Sequence, residues 1–596
     1  MSLFWMDKRA AKTIWKASFY SFGWHNPVKT LENMGKTYHM LAHALKVYWK
    51  SLFVVLYPLV LLPVFLLNNI AALRCLYVVL LMAGYWVLEA LPLPVTSLLP
   101  MVLFPLMGVL DSDKTSLCYL KETNMMFVGG LIIAIAVEHC NLHTRVALHV
   151  IKLVGCSPKK LNLGLITVTM FVSMWISNTA ATAMMIPIIE ATLKELESQG
   201  IGNMYEDDIA EIGDDAHEKR QSRNQEVVET KRPTRTTMCY FISTAYAASI
   251  GGNGCIVGSG TNLTFKGIYE TSFPNSPGVE FAKWMMVNIP LMLIMMYLSL
   301  AWLQFWFMGL FRPHSKDAKK IRVGTQGEIV ARKLICQKIE EMGPMSFHEA
   351  SVAVCFVLSV LLWFFRKPQF ITGWAELITQ HKVKDATAAL IVVMLFFIIP
   401  AKPDFIHIFS KDETKRPKTP SPALLTWKIV QQKLPWGLIF LLGGGFALAE
   451  GSKASGMNHF IVLYLGDVVT LPRIAIMVIA CLLACLLTQF SSNIAVCNVI
   501  LPVMAEISEV ANIHPMYLMM PAALSCSFAY CLPVSTPPNA IAAAPCNMPS
   551  SEMAKVGAGV AVISLLVLFC VFPLLAPLIW DVDTVPDWLN TTNLDV

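Results

Sequence analysis

The sequence predicts an all-α polytopic membrane protein. Three observations carry this. Of 596 residues, 55% are hydrophobic and only 14% are charged, where a soluble domain carries about 25%. The apolar residues gather into stretches near 51–69, 72–92, 95–110, 124–140, 163–189, 238–265, 284–310, 350–365, 386–401, 436–450, 473–505, 516–545 and 556–580, and about 20 such residues make one helical crossing. Lys and Arg concentrate in a few of the intervening loops, as they do on the cytoplasmic side of membrane proteins.

Residues 1–50 are basic and lack an apolar core followed by a small-residue cleavage site. They read as a cytoplasmic segment, not a cleaved signal peptide. The net charge of +6 fits a positive-inside protein and requires no nucleic acid. The 15 cysteines lie mostly inside apolar runs without CxxC spacing, the pattern of buried small hydrophobes and not of a disulfide framework or a zinc site.

Loops 145–160, 311–348 and 402–433 are basic, whereas 267–282 has no Lys or Arg. With the N-terminus inside, all three basic loops fall inside only if 163–189 and 473–505 each enter and return on one side. Each is then a re-entrant hairpin. Eleven crossings remain, and the C-terminus lies outside, where Asn590-Thr591-Thr592 is a glycosylation sequon. Loop 366–385 is assigned outside although it carries Arg366, Lys367, Lys382 and Lys384.

The hairpins account for an anomaly. Ser177, Asn178 and Thr179 lie side by side within "VSMWISNTAATAMMIPII" (172–189), where each unsatisfied polar group would cost several kcal/mol in lipid. A hairpin tip needs such residues, since Ser and Asn end one helix and cap the next. The pattern recurs in "LTQFSSNIAVCNVILPVM" (487–504). Ser177-Asn178 aligns with Ser492-Asn493, Ser173 with Thr488 and Pro187 with Pro502. A second motif pair follows, "IVGSGTNL" (256–263) and "PVSTPPNA" (533–540), each a short break in an apolar helix. Upstream, "VGG" (128–130) and "LGGG" (442–445) stand at matching distances from the two serines. Two motifs recurring in one order define an internal repeat of inverted topology. Paired interrupted helices point to a transporter's central site. The polar stretch of about 193–236 is an insertion in the first repeat only and reads as a flexible cytoplasmic loop.

At these motifs the chain resembles the divalent-anion/sodium symporter family of di-/tricarboxylate and sulfate transporters. "LPWGLIFLLGGGFALAEGSKASG" (434–456) looks like the animal carboxylate branch, and in detail the chain is most similar to insect INDY citrate transporters. The resemblance implies an elevator-type homodimer in the plasma membrane, importing citrate- or succinate-class carboxylates with Na⁺ as a possible coupling ion. It divides the chain into scaffold helices at 51–123 and 267–435, transport repeats at 124–266 and 436–555, and a last helix and extracellular tail at 556–596. It implies substrate contacts at Ser177, Asn178, Thr179, Ser259, Ser492, Asn493, Ile494, Thr536 and Pro537. One cation site would use Ser173, Ser177, Asn178 and Gly258; a second would use Thr488, Ser491, Asn493 and Ser535. The chain departs from the pattern in three places. Ile494 replaces a hydroxyl, Gly260-Thr261 replaces a Pro-Pro, and Ser491 and Ser535 stand where Ala is common. Sodium-independent or exchange transport, and sulfate as substrate, are the alternatives in the same class.

The residues themselves agree with anion and cation binding. No Arg or Lys lies in either tip motif, so an anion would rely on hydroxyls, amides and the positive N-terminal ends of broken helices. Hydroxyl, amide and carbonyl oxygens suit Na⁺. The bland role for Ser173 and Thr488 is a bond to the carbonyl four residues back; their identical offset favours a functional one. Lys266 is expected to snorkel at the outer interface and Glu138 at a membrane interface, and Glu450 has no evident role. An intramembrane hydrolase would need a base beside Ser177 or Ser492, and neither hairpin contains His or Lys. A channel suits the two closing hairpins less well than alternating access.

Overall fold

The computed structural model describes residues 43, 46–154, 157–198, 204–205, 233–312, 325–366, 372–404, 406, 416–417, 419–457, 471–546 and 548–590. Most of the 193–236 insertion lies outside them. The chain divides into two units, residues 1–63 and 64–596. The described residues of the first unit are almost all helical and belong mainly to an apolar helix, α1 (Lys46–Leu66), whose last residues fall in the second.

After α1 the second unit contains α2 (Ala71–Leu88), α3 (Leu93–Leu106), α4 (Ser112–Tyr119) and α5 (Glu122–His139). The amphipathic α6 (Leu142–Val154) leads into α7 (Pro158–Ser173) and α8 (Asn178–Ser198), joined by a four-residue turn. Next come α9 (Arg235–Gly251) and α10 (Gly260–Ser272), separated by two 3₁₀ turns, and the long α11 (Phe281–Met308). The middle of the chain supplies α12 (Thr325–Glu341), α13 (Phe347–Phe364), α14 (Asp385–Ile398), α15 (Trp427–Lys433) and α16 (Trp436–Ser455). A second helix–turn–helix follows in α17 (Arg473–Leu487) and α18 (Asn493–Val510). A second broken helix, α19 (Pro515–Ser525) and α20 (Pro537–Ala543), and then α21 (Ser550–Leu575) complete it.

Local chemistry sets several of these boundaries. Pro158 and Pro515 open α7 and α19, where a missing N–H costs nothing. Ser346 and Glu349 form a capping box at the start of α13. Gly309 and Gly456 end α11 and α16 at φ of 61° and 66°, the left-handed cap that glycine adopts freely.

Among the described residues, seven helices are long and apolar enough to cross a membrane, or eight with α15 and α16 taken as one bent span. The broken helices are cut into pieces shorter than one crossing needs. All eleven residues of α19 are buried, as is α9 from Thr237 to Gly251. A helix apolar all round belongs in an interior, so these two form the core around which the site is built.

Contacts among these elements repeat pairwise. α7 packs on α9 as α17 packs on α19, and α8 packs on α9 as α18 packs on α19. Across the repeats, α8 packs on α20 as α18 packs on α10. The segments around "VGG" and "LGGG" are close-approach faces. A Cβ at Gly129 would lie 2.6 Å from the Ala389 side chain, and one at Gly444 would lie 2.7 Å from the Ser97 carbonyl oxygen. Small residues of this kind let membrane helices pack tightly.

Candidate functional site

Each helix–turn–helix tip is tied to the break in its own repeat by the same hydrogen bonds. In the first repeat, the Ser173 hydroxyl lies 2.9 Å from Asn178 Oδ1 and 2.7 Å from the Ala248 carbonyl oxygen. In the second, the Thr488 hydroxyl lies 2.7 Å from Asn493 Oδ1 and 2.6 Å from the Cys526 carbonyl oxygen. Neither hydroxyl bonds the carbonyl four residues back. At each place one hydroxyl lies within hydrogen-bond distance of two acceptor oxygens and has a single proton to give.

The breaks are built alike. Asn262 Nδ2 donates to the Gly252 and Cys255 carbonyls at 2.9 and 2.8 Å. Asn539 Nδ2 donates to the Ala529 and Leu532 carbonyls at 2.9 and 3.1 Å, and to Ser535 Oγ at 3.2 Å. In both repeats, one asparagine satisfies carbonyls ten and seven residues earlier, which the interrupted helix would leave bare. The Ser535 hydroxyl also donates to the Leu532 carbonyl at 2.7 Å.

The predicted residues come together unevenly. Asn178, Gly252 and Gly258 converge: a Cβ at Gly252 would collide with Asn178 Oδ1, and one at Gly258 would lie 2.6 Å from the Gly252 carbonyl oxygen and 2.7 Å from that of Met174. Ser177 Oγ accepts from the Ala180 N–H at 3.3 Å and so caps α8. Ser491 instead donates to the Trp86 carbonyl of α2 at 3.3 Å. Ile494 reaches across the repeats to Gly260. The first tip, Ser177 to Thr179, the second, Ser492 to Ile494, and Ser259 are half-buried, Pro537 is exposed and Thr536 is buried. Among the described residues, the buried Thr536 hydroxyl has no hydrogen-bond partner.

A profile of the sodium:sulfate symporter transmembrane region matches residues 43–580. The chain belongs to this symporter family. Its relatives include the Drosophila melanogaster protein "I'm not dead yet", 48% identical over 524 residues, 88% of each chain. The Na(+)/citrate cotransporter of Rattus norvegicus is 38% identical over 569 residues, 91% of this chain and 98% of the relative. The human Na(+)/dicarboxylate cotransporter 3 is 38% identical over 590 residues, 93% and 97%. The family consists of transporters, and the apolar helices described above are those of a membrane-spanning symporter.

Two residues that tie the tips and breaks together are not marked by the repeat of the sequence motifs. Gln489 donates to the Phe528 carbonyl at 2.7 Å and accepts from the Cys531 N–H at 3.0 Å, fastening the second tip to its break. Its counterpart in the first repeat is Met174, so the repeat gives no signal for it. Ser527 shares a 2.8 Å hydrogen bond with Thr261 that joins the two breaks.

The ionisable residues in the apolar segments all find partners. Lys266 does not snorkel: it is 2% exposed and pairs with Asp385. Glu138 pairs with Lys433 at 2.7 Å and Glu450 with Lys121 at 3.2 Å. Arg366 and Lys384, two of the four cations that make loop 366–385 look basic, pair with Asp385 and Glu270.

Proposed function

We propose that the protein is a secondary active transporter of di- and tricarboxylates, coupled to Na⁺, with citrate and succinate as the leading substrates. The observation that carries this is the duplicated oxygen cluster, Ser173–Asn178–Ala248 and Thr488–Asn493–Cys526, set beside two half-buried tips. Hard cations take oxygen ligands of this kind, and a pair of them would offset the charge of a dianion in a low dielectric. α8 and α18 begin at Asn178 and Asn493, so their positive ends offer backbone N–H groups to carboxylates. Relatives spanning nearly the same length are named for citrate and dicarboxylate cotransport with Na⁺.

Within this reading, Ser173, Ser177, Asn178 and Gly258 hold one cation and Thr488, Ser491, Asn493 and Ser535 the other. Ser177, Asn178, Thr179, Ser259, Ser492, Asn493, Ile494, Thr536 and Pro537 surround the substrate. The two tips are re-entrant hairpins, eleven helices cross the plasma membrane, and the transport repeats move as an elevator against a scaffold within a homodimer. The N-terminus is cytoplasmic and the C-terminus extracellular, so Asn590 carries a glycan that Asn590→Gln removes.

The deciding experiment is uptake of radiolabelled citrate, succinate and sulfate into proteoliposomes, with and without a Na⁺ gradient. Saturable carboxylate uptake that follows the gradient is expected. Sulfate uptake alone, or carboxylate uptake indifferent to Na⁺, would replace the substrate or the coupling ion in this reading.

A further inference from the structure

The C-terminal half of α10 is held in a collar of charge. Lys266 pairs with Asp385, the first residue of α14, and both are almost fully buried, 2% and 1% exposed. Arg366 Nε lies 2.6 Å from the other Asp385 oxygen and Arg366 Nη1 donates to the Val383 carbonyl at 2.8 Å. One turn along α10, Glu270 lies 3.8 Å from Lys266 and 3.0 Å from Lys384. The next residue, Thr271, accepts from Lys121 at 3.0 Å, and Lys121 also reaches Glu450 on α16. Glu122 accepts from the Ala386 N–H at 2.8 Å. A cavity of about 710 Å³, lined in part by Lys266, Glu270, Arg366, Lys384 and Asp385, opens beside the collar.

Two features separate this collar from a static ion-pair network. First, it is not part of the repeat. Aligning Asn262 with Asn539 sets Lys266 opposite Ala543 and Thr271 opposite Met548; the second broken helix forms without such charges. Second, each side of the joint is electrically balanced by itself. α10 contributes one cation and one anion, Lys266 and Glu270, already one helical turn apart. On the other side the three cations Arg366, Lys121 and Lys384 match the three anions Asp385, Glu450 and Glu122: Asp385 keeps Arg366, Lys121 keeps Glu450, Glu122 keeps the Ala386 N–H, and Lys384 is half exposed. Removing one partner from a buried pair is costly because it strands a charge. Parting α10 from α14 leaves Asp385 with Arg366, and Lys266 and Glu270 can close on each other as an i,i+4 pair.

We propose that the charged joint between α10 and α14 is releasable: it holds the first break in the arrangement seen here and parts once in each transport cycle. The inference rests on the transporter reading. Lys266 and Asp385 are its positioning residues, since α10 carries the Ser259–Asn262 break at its start.

The test is a reversible cross-link. Glu270→Cys with Lys384→Cys replaces a pair at the cavity edge and keeps Lys266, Asp385 and Arg366. Citrate uptake into proteoliposomes is measured before oxidation, after it and after reduction, with wild-type protein treated identically. Cross-linking is expected to lower uptake at least tenfold, and reductant to restore it. Cross-linked carriers that work at the untreated rate would overturn the proposal. If that double variant does not reach the bilayer, Lys121→Cys with Thr271→Cys spans the same collar and is read the same way. Absence of substrate uptake by untreated wild-type protein would sink the transporter reading instead. A second readout comes from Lys266. Lys266→Arg should retain uptake, whereas Lys266→Met should alter maximal rate by severalfold more than apparent affinity; equal behaviour of the two would count against the joint.

Discussion

The side chain of Ile494, in the second tip, fills the space that a side chain at Gly260, in the first break, would occupy. Two departures from the family motif are thereby one. Where the first break carries Gly260 in place of a proline, the second tip carries a branched apolar residue in place of a hydroxyl, and each makes room for the other. The contact joins the two repeats at the site, beside the Thr261–Ser527 hydrogen bond and the packing of Cys497 Sγ on the Thr261 carbonyl at 3.6 Å.

The pairing can be broken and mended. Gly260→Ala sets a methyl group against Ile494 Cδ1 and Cγ1. Overpacking of this kind costs about 1–3 kcal/mol, so both thermal stability in detergent and substrate uptake should drop. Ile494→Val removes Cδ1 and should restore part of both in the double variant. Gly260→Ala and the double variant behaving alike in both assays would show that the contact does not govern the site.

The oxygen clusters give a second expectation. Ser173→Ala and Thr488→Val each delete one oxygen from a cluster while keeping the size of the residue close. Losing one interaction with a charged partner costs about 1.5–3 kcal/mol, so the Na⁺ concentration that half-activates uptake should rise about tenfold or more in each. Uptake measured against Na⁺ concentration checks this. Unchanged Na⁺ activation in both variants would reduce the clusters to structural ties.

The repeat is what makes this site legible in sequence. Ser173 and Thr488, unremarkable singly, stand out because each lies four residues before a Ser-Asn pair. Asn262 and Asn539 end matching breaks, and the structure gives them matching carbonyls. Gln489 and Ser527 were not legible because the first repeat offers Met174 opposite the one and no matching motif marks the other. The ion pairs were illegible for a different reason. Lys266 and Asp385 are 119 residues apart, and Lys121 and Glu450 are 329 apart. A single charge in an apolar helix looks solvent-seeking until the fold supplies its partner, so burial of Lys266 reverses the snorkelling expectation.

Thr179 tests the asymmetry of the two tips. It is half-buried at the start of α8 and offers a hydroxyl where the second tip offers Ile494. Thr179→Val should weaken apparent carboxylate affinity at least about tenfold, the worth of one charge-assisted hydrogen bond. Ile494→Val removes about one methylene of burial, roughly 0.8 kcal/mol, and its side chain faces Gly260, so affinity should change little. Competition uptake on both variants decides. Equal losses would mean that the two tips grip the ligand alike.

Acid should weaken the second repeat through His514. This residue precedes the fully buried α19, and its Nδ1 accepts from the Met516 N–H at 3.1 Å. Only a neutral imidazole can accept there. Burial pushes the His514 pKa down to about 4, against the opposing pull of Asp581, while in the unfolded chain it stays near 6.5. Between about pH 4 and 6.5 the unfolded chain therefore binds a proton that the folded one does not, so stability falls as pH drops through that window and is unaffected above it. The melting temperature in detergent should decline from pH 7.5 to pH 5. His514→Asn keeps an acceptor for the cap and removes the titration, so its melting temperature should decline less over the same range. Parallel pH profiles for the two proteins would show that the cap does not titrate.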